Sequence, residues 1–308
     1  MSFFEIYLPI AEVSIDMNLL LAIGLVTGVC TGFFGLGGSL IALPLLFMIG
    51  IPVNVAVASV TNQMTAGTLS SLVAYSYNGK VDYRLGSLMI MGGIGGTLIG
   101  IVIFNYLAAI GRVETMIPLL LLVLLILISL TVIEDVIAKY WLNGHYVERR
   151  NKALAKAIKF SLPLQTKFIS VNSTISMFSP ILVGFIGGIL IALLGLGGAF
   201  IMIPIMLYLL RTKESYTSGT VLFQIVFTSI VANVLHALSF QCIDIVLSVI
   251  LILSTVVGAQ IGAQFADKIH PEKFRILYAV LMLSLCTQVA YNLTKEPSEK
   301  YQIIEKIK

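Results

Sequence analysis

The residues best placed to do chemistry in this chain are glycines. Gly35-Leu36-Gly37-Gly38 and Gly195-Leu196-Gly197-Gly198 lie 160 residues apart in apolar sequence, and each is followed six residues on by a proline, Pro44 and Pro204. Consecutive glycines pack helices poorly and break backbone well. Unpaired backbone groups are costly in hydrocarbon, so the two breaks are predicted to face protein or a polar cavity. A helix restarts past each break, at Ser39 and at Ala199. Its free N–H groups and positive dipole end would suit an anion. The next helix in each copy supplies polar side chains: Ser59, Asn62 and Gln63 in the first, Thr220 and Gln224 in the second. Ser59, Asn62 and Gln63 can share one helix face at spacings of three and four. The predicted binding set is therefore Gly35, Gly37, Gly38, Ser39, Ser59, Asn62, Gln63, Gly195, Gly197, Gly198, Thr220 and Gln224. The earlier glycines Gly24, Gly28, Gly32, Gly184 and Gly188 recur every fourth residue, a spacing that serves close helix packing in membranes.

The elements that must position these residues are membrane helices. Hydrophobic residues make up 58% of the 308, charged residues only 11%, and mean hydropathy is +1.01. Charge-free runs cover 17–79, 85–111, 115–133, 168–210, 215–243, 245–266 and 276–294. A spanning helix needs about 20 apolar residues, so most of these runs can cross a bilayer. The chain reads as a polytopic all-α protein of the cell membrane. No Lys or Arg precedes Lys80, so the basic start of a signal peptide is missing. Cys30, Cys242 and Cys286 are an odd number in apolar surroundings and describe neither a disulfide framework nor a metal cluster.

The glycine strings belong to two copies of one unit. Gln63 aligns with Gln224 at an offset of 161, while Asp82, Gly96 and Gly100 align with Asp244, Gly258 and Gly262 at 162. The units span 17–138 and 178–294, each a broken glycine-rich segment followed by three helices. Between them, 139–177 carries Lys139, Arg149, Arg150, Lys152, Lys156, Lys159 and Lys167 against Glu148, which marks a cytoplasmic linker. Leu154, Ile158 and Leu162 recur there at helical spacing, as in a helix lying on an anionic membrane surface or a solvated connector. A polar tail, 295–308, ends the chain.

Loop charges favour one topology. If each broken segment crosses the membrane, the loop with Lys268, Lys273 and Arg275 falls outside, against the charge rule. If each is a re-entrant hairpin of two half-helices, that loop, Lys80/Arg84 and Arg211/Lys213 all become cytoplasmic. Three full crossings per unit then place the second copy upside down, giving inverted repeats with a site near the midplane.

Other polar residues rank lower. Gln260 and Gln264 have apolar counterparts, Leu98 and Val102. His236 is a candidate for a coupling proton or for an interfacial hydrogen bond. Asp82 and Asp244 sit at turns and read as helix caps.

These motifs resemble the TauE/SafE sulfite exporter family, also called the toluene sulfonate uptake permease family. The resemblance covers both repeats, with its duplicated GxGG breaks, the Gln-bearing second helix and Gly258-Ala259-Gln260-Ile261-Gly262 in the third. It implies secondary transport of a small anion such as sulfite, a sulfonate or sulfoacetate, by alternating access, and implicates the glycines of the two breaks. Ala192 departs from the pattern where the first copy has Gly32, and the basic linker is unusually long. A cysteine relay, as in related thiosulfate carriers, finds only Cys30, whose counterpart is Leu190.

A passive anion channel, or a carrier of organic carboxylates or thiosulfate, is the alternative on the same fold. Enzymatic chemistry is disfavoured because His145, His236 and His270 are scattered and lack carboxylate partners. The expected partners are the anion, the lipid bilayer and a coupling proton or ion, with no cofactor, no metal and no nucleic acid; homo-oligomers are compatible with the chain.

Overall fold

The computed structural model describes residues 5–34, 39–141, 165–166, 168–171, 175–240, 244–265 and 287. The break at 35–38, most of the basic linker and the last predicted span lie outside these residues, as do Cys242 and Cys286. The architecture is helical, and among the described residues three helices are long and apolar enough to cross a membrane: Tyr83–Ala109, Ser215–Ser239 and Ile245–Phe265. Shorter apolar helices cover Met17–Phe33, Val113–Leu127 and Phe178–Leu194.

In chain order, a hairpin of β1 (Glu5–Leu8) and β2 (Val13–Asp16) leads into α1 (Met17–Phe34). Then follow α2 (Ser39–Met48), α3 (Val53–Tyr77), α4 (Tyr83–Ala109) and α5 (Val113–Trp141). A second hairpin, β3 (Gln165–Thr166) with β4 (Ile175–Ser176), leads into α6 (Phe178–Leu194) and α7 (Ala199–Pro204). A wider helical turn, Ile205–Leu209, continues α7 before α8 (Glu214–Phe240) and α9 (Ile245–Phe265). The widening begins at Pro204, which has no N–H to give its own turn.

The two hairpins were not expected of an all-α chain. They extend the internal equivalence upstream of Met17 and Phe178, because Glu5 and Gln165 stand 160 residues apart like the glycine breaks. The stretch 139–177 thus holds the strand pair 165–166 and 175–176 near its end. Each strand pair is only two to four residues long, too short to carry a period-2 signal.

The repeats embrace. α1 packs chiefly along α9 and α4 along α6, so the first helix of each copy lies on the third long helix of the other. α3 and α8 pack against each other between these pairs. Contact along α1–α9 and α4–α6 is backbone-close. A Cβ at Gly28 would meet the Thr255 carbonyl and one at Gly258 the Leu25 carbonyl; likewise Gly92 and Gly96 face the Ile181 and Phe185 carbonyls, and Gly184 that of Met89. The fourth-residue glycines are therefore packing surface. Ala192, the departure from the glycine pattern, is fully buried against Gly100, small on small.

Asp82 and Asp244 cap helices and do more. Asp82 Oδ1 accepts the Arg84 and Leu85 N–H groups at 3.2 and 3.1 Å, capping α4, and Oδ2 accepts the Ser170 N–H and hydroxyl at 3.0 and 2.7 Å. Asp244 caps α9 through Leu247 N–H at 3.1 Å, while its Oδ2 accepts Ile10 and Ala11 N–H at 2.9 and 3.4 Å. Each carboxylate ties its own helix start to the leader of the opposite repeat. Asp82→Ala leaves several buried donors unpaired and is expected to cost about 2–3 kcal/mol. Thermal unfolding in detergent checks this; Asp82→Asn, which keeps one acceptor, should recover part of the loss.

Candidate functional site

The break of the second copy is a buried left-handed corner. Gly195 ends α6 at φ +63°, donating to the Ile191 carbonyl at 2.9 Å, and Gly198 opens α7 at φ +60°. Both values belong to the region that only glycine adopts freely. The Gly198 carbonyl accepts the Ile201 and Met202 N–H groups, which starts the half-helix. As at any helix start, the first N–H groups of α7 have no partner within the helix itself.

Long helices clamp this corner. A Cβ at Gly195 would lie 2.7 Å from the Val57 carbonyl and 2.8 Å from Thr61 Oγ1, so α3 covers one side. At Gly197 it would meet Met64 Sδ at 3.0 Å and Ile225 Cδ1 at 3.1 Å. Met64 and Ile225 are repeat counterparts, offset by 161, so Gly197 sits between equivalent positions of α3 and α8. The break thus lies at the level of Gln63 and Gln224, their chain neighbours. Leu196 and the three glycines are all buried. Met64 and Ile225 were not legible as site residues, since apolar side chains on an apolar helix carry no signal.

His236 secures the end of α6 from α8. Its Nε2 lies 3.0 Å from the Ala192 carbonyl, one of the last-turn carbonyls that a helix end leaves over, and its ring stands edge-on to Phe104 at 5.1 Å. Of the two sequence readings, the hydrogen bonder is the one with a partner on view, and the histidine is buried within the bundle.

Gln63 occupies a three-helix junction, and Gln224 lies where α8 meets α4. Gln63 Nε2 donates to Thr27 Oγ1 at 2.6 Å and Thr255 Oγ1 at 2.7 Å, joining α3 to α1 and α9. Gln224 Nε2 donates to Thr228 Oγ1 at 3.1 Å, against Gly93 of α4. The hydroxyl moves between repeats. Thr255 faces Gly67 in one, whereas in the other the threonine is Thr228, counterpart of Gly67, and it faces Gly93, counterpart of Thr255. Both carbonyls, Gln63 Oε1 and Gln224 Oε1, lack a protein donor among the described residues.

The remaining predicted residues divide. Thr220 is not at the break: it lies near the start of α8, where its hydroxyl accepts the Asp82 N–H at 3.0 Å and donates to the Tyr216 carbonyl at 2.7 Å. Ser59 is fully buried and Asn62 half-buried on α3. Ser39 opens α2, with Gly35, Gly37 and Gly38 outside the described residues. Gln260 and Gln264 are exposed. Among the described residues no group of His, Cys, Asp and Glu could hold a metal ion.

A family model described as sulfite exporter TauE/SafE matches residues 20–289. Two curated relatives from Bacillus subtilis (strain 168) are similar along nearly their whole length. The probable membrane transporter protein YunE is 23% identical over 282 residues, covering 89% of this chain and 97% of that one. The probable membrane transporter protein YjnA is 23% identical over 267 residues, covering 86% and 96%. No solved structure matches the chain.

Proposed function

Because the chain belongs to the sulfite exporter TauE/SafE family, we propose that it is a secondary transporter of a small oxidised-sulfur anion, sulfite or a sulfonate. The observation that carries this is the buried Gly195–Gly198 corner, clamped between equivalent positions of α3 and α8. Backbone N–H groups opening α7 are the anion's donors, and the first break, Gly35–Ser39, is their counterpart in sequence. An amide site binds charge without a lysine or arginine in the bilayer, where either is costly.

The proposal includes inverted, re-entrant broken segments in a cytoplasmic membrane, moved by alternating access. Contacts at one end of the bundle support the hairpin. Lys213 N–H donates to the Ser170 carbonyl at 2.8 Å and Val171 bridges Thr212, so the chain before α6 meets the chain after the α7 turn. Lys80 is there too, its carbonyl facing Gly219. The Lys80/Arg84 and Arg211/Lys213 loops thus share one end of the bundle, as the charge rule asks of the cytoplasmic side, while the Arg112/Glu114 turn lies at the other end of α4.

Thermal unfolding of the purified protein with sulfite, thiosulfate, sulfoacetate and carboxylates tests the anion site. Sulfite or sulfoacetate should raise the unfolding temperature saturably, as a ligand that binds only the folded state does. Stabilisation by carboxylates alone would shift the substrate class, and stabilisation by no anion would remove the site.

A further inference from the structure

Among the described residues, three of six buried side-chain oxygens without a protein partner fall in one interface, the others being Thr166 Oγ1, Gln224 Oε1 and Asn233 Oδ1. Ser59 Oγ, Gln63 Oε1 and Ser248 Oγ have no protein partner among the described residues, and all three belong to α3 and α9, which pack together. Ser59 and Gln63 are one turn apart on one face of α3; Ser248 and Thr255 are two turns apart on one face of α9. The Gln63 to Thr255 hydrogen bond, 2.7 Å, joins those two faces.

The orientation of the Gln63 amide follows from its neighbours. Thr27 donates its hydroxyl proton to the Ile23 or Gly24 carbonyl at 2.8 or 3.0 Å, and Thr255 donates its own to the Gly24 carbonyl at 3.0 Å. Both hydroxyls can only accept from Gln63, so the amide presents its NH₂ to them and its carbonyl elsewhere. That carbonyl is an acceptor with nothing to accept from.

The opposite repeat fills part of the same place, although Gln224 Oε1, counterpart of Gln63 Oε1, also lacks a protein donor among the described residues. There the counterpart of Ser59 is Thr220, which accepts the Asp82 N–H, and the Phe223 ring lies over Gly86. In the α3–α9 interface the counterparts of Phe223 and Gly86 are Asn62 and Ser248, so amide and hydroxyl replace a phenyl ring. An unsatisfied buried polar group is costly, and three in one interface point to a bound species that satisfies them. It must be electropositive, because the Gln63 carbonyl would repel an oxyanion. Neutral oxygen ligands suit a hard monovalent cation, whereas divalent ions take carboxylates.

We propose that Ser59, Gln63 and Ser248 bind a small monovalent cation, Na⁺, between α3 and α9, as the ion coupled to anion transport. The coupling rests on the transporter reading; the binding site does not. The test is thermal unfolding of the full chain in NaCl against choline chloride at equal ionic strength. Na⁺ should raise the unfolding temperature saturably, and Ser248→Ala or Gln63→Met should raise the half-saturating Na⁺ about tenfold or more. The double variant Asn62→Phe/Ser248→Gly installs the filling found between α4 and α8, so it should fold and lose the Na⁺ response. No stabilisation beyond choline, or a response that survives in the double variant, overturns the site. Uptake into proteoliposomes with and without a Na⁺ gradient separates the two readings. Na⁺ binding without anion movement leaves the site standing and defeats the transporter, while anion uptake indifferent to Na⁺ defeats the coupling alone.

Discussion

Gly195→Val should abolish transport while leaving part of the protein folded. At φ +63° a non-glycine residue is strained by about 1–2 kcal/mol. The larger effect is steric: the new side chain would enter the space of the Val57 carbonyl and Thr61 Oγ1, 2.7 and 2.8 Å from an ideal Cβ. The Val57 carbonyl is helical backbone of α3 and cannot rotate away, so α6 or the start of α7 must shift. A displacement of about 1 Å at a positioned site can cost a hundredfold in rate. Initial uptake rates should therefore fall by two orders of magnitude or more, with Gly195→Ala intermediate. Gly50→Ala controls for strain alone, because Gly50 has φ +90° with nothing within 4 Å of a Cβ. It should lower stability by about 1 kcal/mol and leave uptake intact. Equal losses at Gly50 and Gly195 would mean that the corner is merely a turn.

The second large effect falls on folding. Gly92→Leu and Gly96→Leu would drive side chains into the Ile181 and Phe185 carbonyls, prying α4 from α6. Close approach of small residues holds such helix pairs together in lipid, where no hydrophobic force between helices substitutes for it. Both variants should yield little or no monodisperse protein by size-exclusion chromatography. Gly95, on the same helix between them, meets only the Phe185 ring at 3.9 Å, so Gly95→Ala should be tolerated or slightly stabilising. Gly24→Ala falls in between. Its Cβ would clash most with Ser254 Oγ, a side-chain atom, so Ser254→Ala should restore part of the folded yield, with Ser254 Cβ and the Leu251 carbonyl still at 3.0 and 3.1 Å. A Gly92→Leu protein as well folded as wild type would refute the close α4–α6 contact.

These two cases divide what the sequence could and could not say. The GxGG triplets and the fourth-residue glycines look alike as composition. Their spacing separated them, and the backbone angles of Gly195 and Gly198 against the helical packing of Gly184 and Gly188 follow that separation. Offsets of 160 to 162 carried the two-copy reading; in the structure α1 lies along α9 and α4 along α6. The exchange itself was illegible, because which helix of one copy meets which of the other is a matter of tertiary packing. Gln63 and Gln224 were legible as polar residues in spans. The commitment of Gln63 to threonines on two other helices was not, since Thr27 and Thr255 are ordinary residues until the helices meet. The bond of Thr220 to the Asp82 N–H was equally illegible, because a hydroxyl in an apolar helix looks the same whether it binds a ligand or receives a backbone N–H.

Uptake of labelled sulfite into proteoliposomes is the most direct test of the central claim that the glycine corner holds a transported anion. Wild-type protein should accumulate the label saturably and above equilibrium when an ion gradient is imposed, and Gly195→Val should not, while Gly50→Ala should match wild type. Non-saturable flux that only equilibrates, or full accumulation by Gly195→Val, would contradict the account.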